Sequence, residues 1–185
     1  MRDEDLPRGI ATYGDPGVIV HFDGACQPPK GPGVAGYGFT VEGDGYDHED
    51  HGLATRPYSE NSTNNVAEYV AAIRALEWLR SRGYRGPVTA AGDSQLVVRQ
   101  MRGEYEVRAE HLQAYHDWLA KLAAEFTSVT WQWVPREQNG RADALSKRAI
   151  DEHRPTARRL TGASPGPRDD ASPERDDADG DAERD

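Results

Sequence analysis

Four carboxylates in this chain stand where chemistry is possible. Asp23 closes the run "GVIVHFDGA", Glu68 lies in "STNNVAEYVAAIRALEWL", Asp93 follows "PVTAAG", and Asp143 sits in "NGRADALSKRA". Three have ordinary explanations when taken singly. Asp23 with Gly24 reads as a turn pair, Asp93 as the N-cap of a following helix, and Asp143 as an acid compensating a helix dipole. Glu68 is different. At roughly 100° per residue it falls among Ala72, Ala75, Leu76 and Leu79 rather than beside Arg74 and Glu77. A charge on the apolar arc of a helix is costly to bury unless something pairs with it. Two acids near strand ends and two in first turns of helices can meet at one edge of an α/β sheet, where ligands tend to bind. Converging carboxylates raise one another's pKa values, and hard divalent cations with oxygen ligands relieve that repulsion. Mg²⁺ needs few carboxylates and takes further ligands from phosphate. Two such ions about 3.5–4 Å apart suit an in-line phosphodiester displacement. A metal ion is thus the expected partner of Glu68.

The elements that must position these acids alternate in period. Val18, Val20 and Phe22 on one side of the first run, and Ile19, His21 and Asp23 on the other, predict a central strand apolar on both faces. Ile19 is expected to point into the domain with Asp23. Ala35, Tyr37, Phe39 and Val41 alternate in a second strand, reached through the turn-like "QPPKGPG", and the charged "GYDHEDHGLATR" predicts an edge strand. A helix from about Asn64 to Arg82 ends near Gly83. The strand "PVTAAGDS", the short helix "SQLVVRQMR" and a helix carrying Leu112, Tyr115, Leu119, Leu122 and Phe126 follow. "SVTWQWVP" places Val129, Trp131 and Trp133 on one strand face, and a last helix runs from about Asn139 to Ile150. The order β-β-β-α-β-α-α-β-α predicts an α/β domain, a mixed sheet with helices on its faces.

The chain has 185 residues and a formal net charge of −10. Asp169 to Asp185 holds nine acids and two arginines, a net of −7, which leaves −3 for the rest. The body of the protein therefore need not repel a polyanion. From 154 onward the chain has no aromatic and almost no aliphatic residue, so 154–185 is expected to be a disordered acidic tail. Residues 1–15 are expected to be a flexible N-terminal segment, which leaves 16–153 as the folded domain. The single cysteine, Cys26, excludes an internal disulfide framework and fits a reducing compartment. The polar start lacks a secretory apolar core, and no apolar run approaches the ~18–20 residues of a membrane span. A cytoplasmic protein without membrane attachment is expected.

The stretches "HFDGAC", "TNNVAEY", "GDSQLV" and "NGRADAL" occur in the order and approximate spacing of type 1 ribonuclease H. The resemblance covers about Gly17 to Glu152, and "WQWVPREQNGRADALS" resembles most the archaeal and actinobacterial branch. It implies the ribonuclease H-like fold, a five-stranded mixed sheet flanked by helices, with 16–153 as the catalytic domain. It also implies an endoribonuclease that cuts the RNA strand of RNA/DNA hybrids with two Mg²⁺ ions, Mn²⁺ being a substitute, and leaves 5′-phosphate products. By motif, Asp23, Glu68, Asp93 and Asp143 become the metal-binding catalytic acids. Asn64, Asn65 and Gln95 match polar contacts to the minor groove, where amides can meet the 2′-hydroxyls of RNA. The backbone at Gly24, Ala25 and Cys26 would lie near the RNA strand, and Asn139 near the attacked phosphate. The expected partner is the hybrid, and the expected state a monomer.

Two departures from the pattern stand out. Many bacterial members carry a histidine in the loop before the last acid. Here that loop is "VPREQNG", with Arg136, Glu137 and Gln138 as its polar residues, while His111, His116 and His153 read as helix-surface residues. The segment "RGEYEVRAEH" is short and acidic where some members have a basic protrusion that grips the hybrid. Two other readings stay open at this point: a hybrid-binding adaptor with weak catalysis, and a nuclease of the same fold preferring double-stranded RNA or RNA–DNA junctions.

Overall fold

Val18, Val20 and Phe22 are almost fully buried, and the strand that carries them lies at the centre of the sheet. The computed structural model describes residues 17–160, with side chains through 154. Strand β1 (Val18–Gln27) pairs antiparallel with β2 (Val34–Gly43), and β2 with β3 (Tyr46–Leu53). On its other side β1 runs parallel to β4 (Pro87–Gly92), and β4 to β5 (Ser128–Trp133). The five strands stand in the order β3-β2-β1-β4-β5, so the charged β3 is an edge strand.

Helix α1 (Asn64–Ser81) covers the Val18/Val20/Phe22 face. It is apolar over most of its circumference because α3 (Glu110–Ala123) packs on it from outside, adding Leu112, Leu119 and Leu122 to the same core. Arg82 caps α1, and Gly83, at φ +78°, takes the left-handed conformation that turns the chain away. The short α2 (Gln95–Met101) lies beside β5. After β5, a single 3₁₀ turn at Arg136–Gln138 leads into α4 (Gly140–Leu160), which packs on the opposite face against β1, β2 and β3.

The close approach of α4 depends on Gly38, the partner of Asp23 across the β1–β2 ladder. A Cβ there would fall 2.5 Å from Leu145 Cβ and 2.6 Å from the Ser146 amide. Any larger residue would lift α4 off the sheet and draw Ser146 away from Asp23.

Two expectations are revised. Ile19 does not point into a core: it is 39% exposed, because α4 crosses the sheet above Gly36 and Gly38, opposite Ala25 and Asp23, and leaves Ile19 beyond it. Val129, Trp131 and Trp133 alternate along β5 as expected, with Trp131 buried and Trp133 43% exposed. The last helix runs to Leu160, so the boundary expected at 154 falls inside it. The remainder of the predicted tail, 161–185, and the predicted N-terminal segment lie outside the described residues. Among the described residues no helix is long and apolar enough to cross a membrane.

Candidate active site

The site forms beside the middle of β1, where β4 ends and α1 begins. A Cβ at Gly24 would lie 2.1 Å from the Glu68 amide nitrogen, so only glycine lets α1 rest on the β1 backbone directly after Asp23. That contact sets Glu68 beside Asp23. Thr63 is the N-cap of α1, its side chain accepting from the Val66 amide at 3.3 Å. Capping is thereby assigned to Thr63, and Asn64 and Asn65 keep exposed side chains. The same holds at β4. Ser94, not Asp93, caps α2 by accepting from the Val97 amide, which leaves the Asp93 carboxylate to the site.

Asp23, Glu68 and Asp93 each offer one carboxylate oxygen, and these oxygens all lie within 4.8 Å of one another. Asp23 and Glu68 are each only 5% exposed. Burial pushes the Asp23 carboxyl up to about 7, with the Asp93 and Asp143 charges adding to the rise and the Ser146 hydrogen bond opposing it. Burial also holds Glu68 well above the ordinary carboxylate range, reinforced by the charges of Asp23 and Asp93. Glu68 Oε2 is buried without a hydrogen-bond partner. Three gathered carboxylates, one with a buried oxygen that lacks a partner, offer the donor set of a hard divalent cation. The residues present fit such an ion.

The chain around α4 supplies the remaining contacts. Asn139 is 1% exposed, and its Nδ2 donates to the Phe22 carbonyl at 2.9 Å and to Asp93 Oδ1 at 3.1 Å. It therefore ties the middle of β1 to Asp93 from outside the cavity lining, and its own Oδ1 is buried without a partner. Ser146 donates to Asp23 Oδ2. Asp143 lies apart from the three clustered acids. Its Oδ1 accepts from Arg136 Nη2 and its Oδ2 from Lys147 Nζ, each at 2.6 Å. Burial acts upward on Asp143, but the hydrogen bond from Lys147 and the charge and hydrogen bond of Arg136 outweigh it and hold the carboxyl low.

The acids open into a cavity of about 270 Å³, lined also by Gly24, Ala25, Asn64, Ser94 and Arg136. Asn65 and Gln95 are exposed in the first turns of α1 and α2, outside the cavity lining. The Cys26 side chain turns inward, its Sγ donating to the Ser62 carbonyl at 3.1 Å. Sequence reasoning missed Ser146 and Lys147, although they lie three and four residues after Asp143, on the same helical face. It also missed Trp133, whose Nε1 donates to the Asp93 carbonyl at 3.2 Å.

Sheet order and helix placement define an α/β domain with a carboxylate-lined cavity beside β1 and at the end of β4. The profile of the "Reverse transcriptase-like" family matches residues 21–149. The N-terminal RNase H domain of Rv2228c from Mycobacterium tuberculosis superposes with a TM-score of 0.67 at 32% identity, over 76% of this chain and 97% of that one. Rv2228c as a whole is a "Bifunctional protein", 34% identical over 72% of this chain, and the match spans only 35% of its length. RNase H1 of the halophilic archaeon Halobacterium salinarum superposes with a TM-score of 0.64 at 34% identity, over 73% of this chain and 98% of that chain. LC11-RNase H1, isolated from compost and solved in complex with an RNA/DNA hybrid, gives a TM-score of 0.64 at 35% identity, over 73% and 97%. This chain belongs to the type 1 ribonuclease H family.

Proposed function

We propose that this protein is a metal-dependent ribonuclease H that cuts the RNA strand of RNA/DNA hybrids internally and leaves 5′-phosphate ends. The observation that carries the reading is the convergence of Asp23, Glu68 and Asp93 around the unpartnered Glu68 Oε2 on the floor of an open cavity. The hybrid bound by LC11-RNase H1 supports the choice of substrate. Asp23, Glu68 and Asp93 would hold one divalent cation, with Mg²⁺ as the physiological choice and Mn²⁺ as a substitute. Asp143, with Asp23, would serve a second once it exchanges its Arg136 and Lys147 partners. When bound, such cations supply activation of the attacking water and neutralisation of charge on the leaving oxygen.

The chain's own residues do the rest. Ser146 and Asn139 fix the orientations of Asp23 and Asp93. Arg136 holds positive charge at the cavity mouth, where the histidine of many relatives is missing. Asn64, Asn65 and Gln95, exposed at the starts of α1 and α2, offer amides to the 2′-hydroxyls of a wide minor groove. In this reading the protein works as a monomer in the cytoplasm.

The test is cleavage of end-labelled RNA/DNA, RNA/RNA and DNA/DNA duplexes with Mg²⁺, with Mn²⁺ and with chelator. Hybrid-selective cutting that disappears in chelator and in Asp93→Asn is expected. Equal cutting with chelator, or unchanged cutting by Asp93→Asn, defeats the proposal, and preferential cutting of RNA/RNA replaces its substrate.

A further inference from the structure

We infer that Tyr58 is a substrate-binding residue that packs against the RNA strand in the minor groove, outside the carboxylate cavity. The inference rests on the ribonuclease H reading above and names a contact that reading does not use.

Tyr58 stands in the loop between β3 and α1 with φ of +58°. This left-handed conformation is ordinary for glycine or asparagine and disfavoured for tyrosine. Packing covers only about half of the residue, which is 45% exposed. A residue of the wrong type for its backbone, with a large ring left in solvent, is not explained by the fold. Such outliers persist where the surroundings over-determine them, and they cluster at ligand-binding sites.

The surroundings here are rigid. Ser62 is fully buried, and its hydroxyl joins a knot with Thr55 Oγ1 at 2.8 Å, Ser59 Oγ at 3.0 Å and the Arg56 carbonyl at 2.7 Å. The Ser62 carbonyl accepts from the Gly33 amide at 3.2 Å and from Cys26 Sγ at 3.1 Å. The Tyr58 amide donates to the Gly33 carbonyl at 2.7 Å. The loop is thus fastened at both ends to the close of β1 and to the β1–β2 turn, and Tyr58 is displayed from it rather than free to fold back.

The same fastening fixes where the ring stands. Ser62 and Thr63 lead straight into exposed Asn64 and Asn65, so the loop that displays Tyr58 runs directly into the amides assigned to the minor groove. A phenol fits a ribose row well. Its flat face packs on the sugar, and its hydroxyl both donates to and accepts from a 2′-OH.

Tyr58→Gly is the informative variant, because glycine accepts φ of +58° and removes only the ring, so folding is kept and its melting temperature checks this. Binding of a fluorescein-labelled hybrid is read by anisotropy in Ca²⁺, and cleavage by KM and kcat in Mg²⁺. Expected for Tyr58→Gly is a Kd and KM about five- to tenfold higher with kcat within about twofold. Expected for Tyr58→Phe, which keeps the ring, is an intermediate loss on the hybrid and none on a duplex whose RNA strand is 2′-O-methylated at the contacted sugars. Unchanged Kd and KM in Tyr58→Gly overturn the inference while wild-type cleavage leaves the ribonuclease H reading standing. A wild-type protein that neither binds nor cuts the hybrid overturns that reading itself.

Discussion

Ser146, on the inward face of α4, donates its hydroxyl to Oδ2 of Asp23 across 123 positions of sequence. The serine is completely buried, and its bond favours the charged carboxylate against the burial that pushes Asp23 up to about 7. Ser146→Ala removes that support and leaves the Asp23 side chain free to turn. Partners behind a ligating carboxylate typically govern metal affinity by about 10–100-fold. We therefore expect the Mg²⁺ concentration for half-maximal cleavage to rise at least about tenfold in Ser146→Ala, with saturating Mg²⁺ restoring most of the rate. Superimposable Mg²⁺ titrations of variant and wild type would remove Ser146 from the site's machinery.

The raised pKa values make a prediction about the metal-free protein. Asp23 moves from 3.8 to about 7 on folding, so the folded state binds its proton more tightly than the unfolded chain. The stability from this group is complete below pH 3.8 and is lost as pH rises through about 7; Glu68, shifted the same way by burial, adds to the loss. In chelator, Asp23 pulls the melting temperature down as pH rises from about 4 to about 7, and Glu68 acts in the same direction. Asp23→Asn flattens the dependence by up to about 1.4 kcal/mol per pH unit, and added Mg²⁺ restores wild-type stability at the alkaline end. A wild-type profile parallel to that of Asp23→Asn contradicts the burial argument.

Asn139 separates two roles by kinetics. A side chain 1% exposed that bridges the Phe22 carbonyl and Asp93 is expected to act through Asp93 rather than on the substrate. Asn139→Ala leaves both acceptors unpaired, which costs about 1–3 kcal/mol of stability. The expected kinetic signature is a lower kcat with KM within about twofold of wild type. A rise in KM at constant kcat would instead return Asn139 to the phosphate contact that the family resemblance implied.

Much of this was legible in the sequence because the relevant signals are local. Period-two and period-3.6 alternation located the strands and helices of the sheet and its covering layers, and the misplacement of Glu68 on an apolar arc pointed to the cluster. What stayed hidden was set by tertiary contact. Thr63 and Ser94 are as good caps as their neighbours Asn64 and Asp93, so only the structure shows which residues are released for the site. Ile19 looks like a core residue until the path of α4 is known. Asn139 reads as a polar loop residue, and nothing within the loop signals its burial under Asp93.

Asp143 is the acid whose place in the chemistry is least set by the geometry, since Arg136 and Lys147 occupy both of its oxygens. Those partners are 65% and 54% exposed, and ion pairs of that kind contribute only about 0–1 kcal/mol. Asp143→Asn should accordingly melt within a few degrees of wild type. If Asp143 exchanges its cationic partners for a second divalent ion, its amide cannot replace that charge. Cleavage should then fall by at least about a hundredfold, while one tight divalent-ion site, held by Asp23, Glu68 and Asp93, persists in calorimetric titration. The cations make a competing expectation: if Asp143 serves only to position Arg136 and Lys147, the asparagine variant keeps most of its rate and instead binds the hybrid with altered salt dependence. Measuring kcat, divalent-ion stoichiometry and the salt slope on the same variant decides between the two.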